Sequence, residues 1–192
     1  MNEQRRPATE AEAATLASAV RVRIIRLTLH EPLTNAQIAA RLHRDPATTL
    51  YHVRRLVRHG FLEALPARPG PRGSREIPYR GTRLSWSLKD AGRDPRLAEA
   101  TLEAYLDEVT EVGVAALEQS RLAVRLTPSD AAALRAELWA LLDRYAARPE
   151  PADGEAVAVY LSIYPGDSRS PQVRPLTAPR RDARNQRRRQ RR

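Results

Sequence analysis

The stretch RDPATTLYHVRRLVRHG, residues 44–60, contains signals for the start, both faces and the end of one short helix. Asp45 can accept hydrogen bonds from the free backbone amides of a first turn. Pro46 suits the first helical position, because the N–H that it lacks would have no partner there. Gly60 can adopt the left-handed conformation that often ends a helix. The sequence therefore predicts a helix from Pro46 to about His59.

The two faces of this helix differ in chemistry. Residues at helical spacing form an inward stripe that consists of Thr49, Val53, Leu56 and Val57. The other side carries hydroxyl, aromatic and guanidinium groups, contributed by Thr48, Tyr51, Arg55 and Arg58, with Arg54 beside them. The sequence thus predicts a helix that packs on one side and offers polar groups on the other.

A second short helix is predicted directly before it. Thr34 with Gln37 three residues later is a capping-box pattern, and the helix would bury Ile38, Ala39 and Leu42. Only His43 and Arg44 then separate the two helices, which is the helix-turn-helix arrangement. Further upstream, residues 9–29 predict one or two helices, whose apolar positions are Leu16, Val20, Ile24, Leu27 and Ile25.

The period changes from helical to extended after Gly60. Residues 61–64 predict a short strand, and residues 66–74 (PARPGPRGS) predict a loop without regular structure. Residues 75–88 predict a second strand from the alternation of Ile77, Tyr79, Leu84, Trp86 and Leu88. Pro78 and Gly81 within it indicate an edge strand or a bulge. Two strands around an arginine-bearing loop, after a helix-turn-helix, predict a winged helix.

These segments resemble the ArsR-type winged-helix transcriptional regulators. The resemblance lies in LASAVRVRIIRLTL, LTNAQIAARL and DPATTLYHVRRLVRHGFLE, and it covers about seventy residues between Leu16 and Trp86. It implies a homodimer that binds a near-palindromic operator, usually as a repressor released by a ligand. The chain departs from the family in two respects. It lacks the cysteines with which many relatives sense metals, and about a hundred residues follow the wing.

The chemistry of DNA bases and phosphates suggests roles for eight residues. Thr48 and Tyr51 are the best candidates for reading base edges in the major groove. Arg54 and Arg55 could read guanine or contact phosphate, two roles that the sequence leaves about equally open. Arg44, in the turn, is a phosphate candidate. The wing candidates, which could lie along the backbone or enter a minor groove, are Arg68, Arg72 and Arg75. A plain solvated basic surface is the alternative.

Charge is segregated along the chain. Residues 1–89 hold 16 basic and 7 acidic side chains, residues 90–168 hold 7 and 15, and residues 169–192 hold 10 and 1. A polyanion such as nucleic acid would be attracted to both ends and repelled by the middle. Arginine supplies 32 of the 33 basic residues. That bias explains which cation is used, but it does not explain the segregation.

The acidic middle region predicts two helices and a strand. The first would run from Pro95 to about Gln119, with its glutamates on the solvated side and an apolar face of Leu102, Leu106, Val109, Val112 and Ala116. The second would be capped at Thr127 and run to about Arg148, with a stripe of Leu134, Leu138, Leu141, Leu142 and Tyr145. Residues 156–164 (AVAVYLSIY) predict a strand, and the chain after Gly166 predicts a disordered arginine-rich tail.

Two uses of the middle region stay open. The apolar stripes could form core and a dimer interface that ties two winged helices together. They could also line a pocket for a small-molecule effector, for which the candidate aromatic residues are Tyr105, Trp139, Tyr145 and Tyr160. Apolar stripes are more often core than ligand site, so the first use is favoured.

Several classes of function are disfavoured. His52 and His59 are seven residues apart on one helix, too far to share an ion without outside ligands, so no metal site and no cofactor are predicted. No catalytic motif appears, which argues against an enzyme. The lack of cysteine and of a long apolar run or signal peptide fits a cytoplasmic protein without a membrane span.

The sequence therefore predicts a mainly α protein in three parts. Residues 9–90 would form a winged helix-turn-helix domain with a two-stranded wing, and residues 94–165 a helical region for dimerisation, with a possible effector site and one short strand. Residues 166–192 would form the disordered basic tail. The predicted function is sequence-specific binding of double-stranded DNA by a homodimeric transcriptional regulator, and the resemblance implies that it acts as a repressor. The alternative is a winged-helix module that binds protein or RNA.

Overall fold

The computed structural model describes residues 5–70, 73–89, 94–151 and 153–166. The chain divides into two compact units, Met1–Glu118 and Gln119–Arg192. The first unit contains β1 (Arg6–Pro7), α1 (Glu10–Leu16), α2 (Ala19–Leu27), β2 (Leu33–Thr34), α3 (Asn35–Arg41), α4 (Pro46–Arg58), β3 (Leu62–Ala64), β4 (Arg68–Pro69), β5 (Arg75–Glu76), β6 (Pro78–Gly81), β7 (Leu88–Lys89) and α5 (Pro95–Val112). A 3-10 helix of one turn follows at Val114–Ala116. The second unit contains α6 (Pro128–Ala146). The mainly α fold class with a small antiparallel sheet is confirmed.

Two helices, not one, occupy the region before the helix-turn-helix. Thr9 and Glu12 form a capping box that starts α1, and Glu12 also accepts hydrogen bonds of 2.8 and 2.5 Å from the Arg6 guanidinium. The hydrogen bonds from Arg6, and then those from Thr9, lower the pKa of Glu12 to about 2. The carboxylate thus stays ionised and fixes Arg6 of β1 to α1.

The caps of the helix-turn-helix are the ones that the sequence predicts. The Thr34 hydroxyl accepts from the backbone N–H of Gln37, and the Gln37 side chain accepts from the backbone N–H of Thr34 at 2.8 Å. Asp45 accepts from the backbone N–H of Thr48 at 2.8 Å, and Pro46 is the first residue of α4. Hydrogen bonds from the backbone N–H and the hydroxyl of Thr48 lower the pKa of Asp45. Helix α4 ends at Arg58, one residue before the predicted end.

The turn between α3 and α4 places a histidine in a conformation that favours glycine. His43 has a φ of 50°. The backbone N–H of His43 donates to the carbonyl of Ala40 at 3.1 Å, and that of Arg44 donates to the carbonyl of Ala39 at 2.9 Å. This is the Schellman arrangement, in which a left-handed residue follows the helix. A side chain in that conformation costs about 1–2 kcal/mol.

Replacing His43 with glycine is therefore expected to stabilise the protein. His43→Gly relieves the left-handed strain but adds freedom to the unfolded chain, so the net gain should be about 0.5–1 kcal/mol in the free energy of unfolding. Urea denaturation of the purified variant measures it. His59→Gly is the control, since His59 has a φ of −100° and glycine should destabilise the protein there. A His43→Gly variant no more stable than the parent would contradict this account of the turn.

The core of the first unit lies where the helices meet the sheet. Its fully buried side chains include Ile24, Leu33, Ile38, Val53, Leu56, Phe61 and Leu62. Thr49, Val53 and Leu56 are buried, as the predicted inward stripe requires, and Val57 is partly buried against the same cluster. The core thus anchors one complete face of α4 and leaves its other face toward solvent.

The sheet of the wing differs from the predicted one. It has three antiparallel strands in the order β2-β6-β3, so the strand that starts at Pro78 is central. The prediction of an edge strand or bulge there is wrong. Pro78 is tolerated because it is the first residue of β6, where its missing donor interrupts no ladder, and its carbonyl accepts from the backbone N–H of Leu65 at 2.8 Å. Strand β2 spans only two residues, too few to show alternation.

The predicted strand over residues 75–88 is interrupted after Gly81. Residues 83–87 form a bend and turn, Arg83 has a φ of 63°, and Trp86 is 40% exposed. Leu88 is buried, but it lies in β7, which pairs in parallel with β1. The prediction of one strand from the alternation of Leu84, Trp86 and Leu88 is therefore wrong. Ile77 is likewise exposed and lies between β5 and β6.

The proline- and glycine-rich loop has more order than the sequence predicts. Arg68–Pro69 and Arg75–Glu76 pair as β4 and β5, with Arg68 opposite Glu76 and Pro69 opposite Arg75. The backbone N–H of Gly70 donates to the carbonyl of Ser74 at 2.7 Å. The prediction of a loop without regular structure is thus wrong, and the wing extends into a second short ladder.

Helix α5 turns a different face to the protein from the predicted one. It ends at Val112, because Gly113 has a φ of 81°, and does not continue to Gln119. Its buried residues are Leu97, Ala100 and Ala104. Asp107 and Glu111 pair with Arg23, and Glu108 pairs with Arg26, both arginines on α2. Asp107 and Glu111 keep side chains that are 48% and 45% exposed, as the predicted solvated side requires, whereas Glu108 is largely covered. The predicted apolar face is largely open, with Leu106 and Val112 more than half exposed.

In the second unit, the described residues form one helix, α6, with segments on either side that belong to no helix or strand. Helix α6 starts at the predicted cap, where the Thr127 hydroxyl accepts from the backbone N–H of Asp130 at 3.1 Å. None of its residues is buried. Residues 156–164, predicted as a strand, are not paired with another described segment. The predicted tail lies outside the described residues except for Gly166.

Candidate nucleic-acid interface

The outer face of α4 is an exposed polar surface of the helix-turn-helix. Thr48, Tyr51, Arg54 and Arg58 are exposed along it, and Tyr51 is 60% exposed. Local sequence explains this arrangement, because Asp45 and Pro46 set the start of the helix and the buried stripe sets its rotation. The predicted separation of the two faces is thus present in the structure.

The start of α4 is fixed to α3 by a side chain that the sequence did not single out. The Asn35 amide nitrogen donates to the carbonyl of Pro46 at 2.9 Å. The buried hydroxyl of Thr49 donates to the carbonyl of Asp45 at 2.9 Å. The first bond ties the start of α4 to α3, and the second stabilises the first turn of α4 itself. Asn35 is the first residue of α3, and nothing in its local pattern signals a contact with the next helix.

Thr48 is oriented by the cap that it belongs to. Its hydroxyl donates to Asp45 Oδ2 at 3.1 Å, and its backbone N–H donates to the same oxygen at 2.8 Å. With the hydroxyl proton directed to Asp45, the oxygen lone pairs and the methyl group are the parts left for a ligand. Thr48 is therefore suited to accept from a base amino group or to contact a thymine methyl group.

Tyr51 rests on a neutral histidine. The rings of Tyr51 and His52 meet edge to face, with centroids 5.5 Å apart and an interplanar angle of 73°. Burial, and then the charges of Arg21, Arg44 and Arg55, lower the pKa of His52, so the ring is neutral at pH 7. His52 Nδ1 lies 3.5 Å from Arg21 Nη1. Because a guanidinium only donates, we assign the ring proton to Nε2.

Two arginines hold α4 against the end of α1. Arg21 is buried and donates to the carbonyl of Thr15 and, at 3.2 Å, to the carbonyl of Ala14. Arg55 donates to the same carbonyl of Ala14 and to the Thr15 hydroxyl, both at 3.4 Å. Burial, and then the charge of Arg55, lower the pKa of Arg21. These guanidinium groups lie at the negative end of the α1 dipole.

Arg54 and Arg55 are therefore not equivalent, although their sequence positions suggest the same role. Arg54 is exposed, whereas Arg55 is half-buried and engaged with α1. The buried Arg21 was missed as a structural residue. Its spacing could have signalled it, since it lies three and four residues before the buried Ile24 and Ile25 on one helix face.

The wing places two of its three candidate arginines on the short outer ladder. Arg68 and Arg75 are exposed on β4 and β5, while Arg72 lies outside the described residues. Arg44 is exposed in the turn before α4. Arg80 of β6 is paired with Glu63 of β3 at 2.6 Å. The structure therefore leaves exposed both Arg44, predicted as a phosphate contact, and Arg68 and Arg75, predicted to lie along the DNA backbone or to enter a minor groove.

The structure gives less support to an effector pocket or a metal site than to the outer face of α4. Of the four aromatic residues suggested for an effector pocket, Tyr105 belongs to the first unit and Trp139, Tyr145 and Tyr160 belong to the second. Among the described residues, no group of three or more His, Asp or Glu side chains is placed to hold a metal ion. In the same part of the chain, no helix is both long and apolar enough to cross a membrane.

Comparisons with known proteins identify the same segment. Residues 16–63 match the family described as a helix-turn-helix domain, which runs from the end of α1 into β3. No curated protein matches the sequence. The match thus covers both helices of the motif and ends within β3.

Several solved structures are similar to the chain at low sequence identity. The zinc-responsive MarR family member ZitR from Lactococcus lactis is 18% identical over 67% of this chain and 75% of its own, with a TM-score of 0.30. Wild-type ZitR from the same organism in complex with DNA is 17% identical over 66% and 74%, with a TM-score of 0.28. The zinc-dependent MarR family transcriptional regulator AdcR in its Zn(II)-bound state is 24% identical over 66% and 74%, also with a TM-score of 0.28. These likenesses are too distant to add to what the helices and the wing show.

Proposed function

We propose that the chain is a DNA-binding transcriptional regulator that recognises a specific operator as a homodimer. One observation carries the proposal. Helix α4 of a helix-turn-helix domain is fixed by its buried face, its cap and Asn35, while Thr48, Tyr51 and Arg54 stand exposed on its free face. The second helix of this motif is the one that enters the major groove.

The three exposed residues have complementary chemistry for base edges. The Thr48 oxygen can accept from adenine N6 or cytosine N4, and its methyl group suits thymine. Tyr51 offers a ring for a thymine methyl group and a hydroxyl for either kind of edge. Arg54 can donate to guanine O6 and N7 together. Arg55, held by α1, is better placed to position the helix than to read a base.

The turn and the wing would supply phosphate contacts. Arg44 lies exposed beside the start of α4, and Arg68 and Arg75 lie exposed on the outer ladder of the wing. Contacts to phosphate fix the register of a protein on the duplex without reading sequence. Arg72, between the two wing strands in sequence, would add to this group.

A homodimer is supported by the free side of α5. Leu106 and Val112 are exposed there, with the half-buried Leu102 and Val109 beside them. The acidic side of the same helix is tied to α2 through Arg23 and Arg26. Pairing of two α5 helices would therefore fix the spacing of two α4 helices, which a two-fold operator requires.

Finer features belong to the same proposal. They are the ArsR type, repression, release by a small-molecule effector, a cytoplasmic location, and the division into residues 9–90, 94–165 and 166–192. A protein- or RNA-binding module is less well supported. Its docking surface would be the acidic middle region, but Asp107, Glu108 and Glu111 are already occupied by arginines of α2. A binding protein, not an enzyme, fits the described residues best.

Selection from random duplexes tests the proposal. The full chain is incubated at moderate salt with a random DNA library and excess competitor DNA, and bound duplexes are sequenced over several rounds. We expect one enriched sequence with two-fold symmetry and half-sites about 10 base pairs apart, or a multiple of that distance. Binding without enrichment of any sequence would contradict specific recognition and favour general attraction to polyanions.

A further inference from the structure

The described part of the second unit exposes many large apolar side chains. Its exposed large apolar side chains are Leu122, Val124, Leu126, Trp139, Leu141, Tyr145, Val157, Val159, Tyr160, Leu161, Ile163 and Tyr164. Single exposed apolar residues are common, but a concentration of this kind marks an interaction surface. This unit therefore calls for a partner.

One set of alternate positions in residues 156–164 is uniformly aliphatic. Val157, Val159, Leu161 and Ile163 alternate with Ala156, Ala158, Tyr160, Ser162 and Tyr164. Strands have this period, and their side chains point to opposite faces in turn. Yet the segment is assigned to no helix or strand and is not paired with another described segment. It thus has the pattern of a strand without the neighbour that a strand needs.

The remainder of the unit provides an apolar surface on which a sheet could pack. Residues 122–126 and the start of α6 enclose an open groove of about 370 Å³, lined by Leu122, Val124, Leu126, Asp130, Ala133, Leu134 and Glu137. The stripe on α6 is only partly covered, since Leu141 and Tyr145 remain exposed. A helix in water gains most of its stability from packing such a stripe.

Charge and composition favour a second copy as the partner. Residues 119–166 hold five basic and six acidic side chains, so two such units would not repel each other, in contrast to two strongly basic segments. The remaining residues, 167–192, contain only Val173 and Leu176 as large apolar side chains, too few to cover this surface. The two extended segments and the stripe of α6 comprise about twenty residues, the number that a standard interface uses on each side.

We infer that residues 156–164 pair antiparallel with the same residues of a second copy. The two strands form a sheet across the dimer axis, and the face that carries Val157, Val159, Leu161 and Ile163 packs on the apolar surfaces of the two α6 helices. The opposite face, with Ala156, Ala158, Tyr160, Ser162 and Tyr164, points away from them. This contact would join two copies through their second units, whether or not they also meet through α5.

Distances between spin labels test this arrangement in the full chain. The protein has no cysteine, so one cysteine at a time at positions 156, 158, 162 and 164 places one label on each copy without touching the apolar face. In an antiparallel pair, the distance between equivalent residues grows by about 7 Å for each residue away from the two-fold axis, twice the rise of about 3.4 Å. We therefore expect distances that fall and then rise along the segment.

Two variants separate this pairing from accidental proximity. Val159 is 69% exposed, so Val159→Asp should leave each copy folded but abolish the coupling between labels at position 156. Ser162→Asp places the same charge on the opposite face and should leave the coupling intact. The inference would be overturned if the labelled proteins without an Asp substitution showed no coupling between labels. It would also be overturned if the measured distances did not change with label position. The selection from random duplexes tests base reading separately. Specific DNA recognition and the pairing of residues 156–164 can therefore each be contradicted while the other holds.

Discussion

Tyr51→Ala is expected to lower the affinity for the selected operator about 10- to 100-fold while hardly changing the affinity for unrelated duplexes. A well-formed contact to a base edge contributes about 1–3 kcal/mol of discrimination. Tyr51 is 60% exposed and its ring rests on His52, so its removal should leave the core intact. Fluorescence titration of labelled operator and scrambled duplex at one salt concentration measures both affinities, and thermal denaturation checks the fold.

A graded variant separates the ring of Tyr51 from its hydroxyl. Tyr51→Phe keeps the ring and should retain the part of the affinity that comes from contact with a thymine methyl group. Thr48→Ala should change the preferred bases at a neighbouring position. Equal losses for operator and scrambled duplex with Tyr51→Ala would show that this side chain contributes to general attraction only, which contradicts its role in base reading.

Arg21→Met is expected to lower the free energy of unfolding by about 3 kcal/mol, although Arg21 is buried and is not among the proposed DNA contacts. Hydrogen bonds from a charged group contribute about 1.5–3 kcal/mol each, and buried acceptors that lose their donor are costly. Arg21 donates to the carbonyls of Ala14 and Thr15 and faces His52. Methionine fills similar space without these bonds. Urea denaturation followed by circular dichroism measures the loss.

The matched control is Arg26→Met on the same helix. The Arg26 side chain is about half exposed and pairs with Glu108, and an ion pair of this kind contributes about 0–1 kcal/mol. Arg21→Met should also weaken operator binding under conditions where the protein is still folded, because α4 loses part of its attachment to α1. If Arg21→Met and Arg26→Met lower the free energy of unfolding by equally little, Arg21 does not anchor α4.

The helix-turn-helix was predictable because its signals are local. Each cap depends on residues three positions apart, as in Thr34 with Gln37 and Asp45 with Thr48. The rotation of α4 then follows from the spacing of Val53 and Leu56 alone. Such rules need no knowledge of the remainder of the fold, and they also placed Thr48, Tyr51 and Arg54 on the exposed face.

The features that could not be predicted depend on distant residues. Arg23 meets Asp107 and Glu111, which follow it by 84 and 88 positions, so no local pattern indicates that the acidic side of α5 pairs with α2. The end of the strand at Gly81 has a similar origin. A Cβ atom at Gly81 would lie 3.1 Å from Leu29 Cδ2 and 3.3 Å from the carbonyl oxygen of Ile25. That close approach to the end of α2 is invisible in the alternation of Leu84 and Trp86.

The difference between Arg54 and Arg55 has the same cause. Both follow the polar period of α4, but only Arg55 lies within reach of the last carbonyls of α1. Local spacing shows which residues leave the core, whereas contact with another helix decides which of them remain available to a ligand. The exposure of Thr48, Tyr51 and Arg54 on α4 was therefore predictable, but the contacts that support the candidate site were not.

Cleavage of DNA from a reagent attached to α4 tests the central claim most directly. The chain contains no cysteine, so Arg54→Cys can carry a single iron chelate that cuts nearby DNA, and Glu99→Cys, exposed on α5, serves as the control. If the outer face of α4 lies in the groove, the label at position 54 should cut within the half-sites of the selected operator, and the label at position 99 should not. Intact half-sites under the position-54 label, in a complex that still binds the operator, would contradict the account.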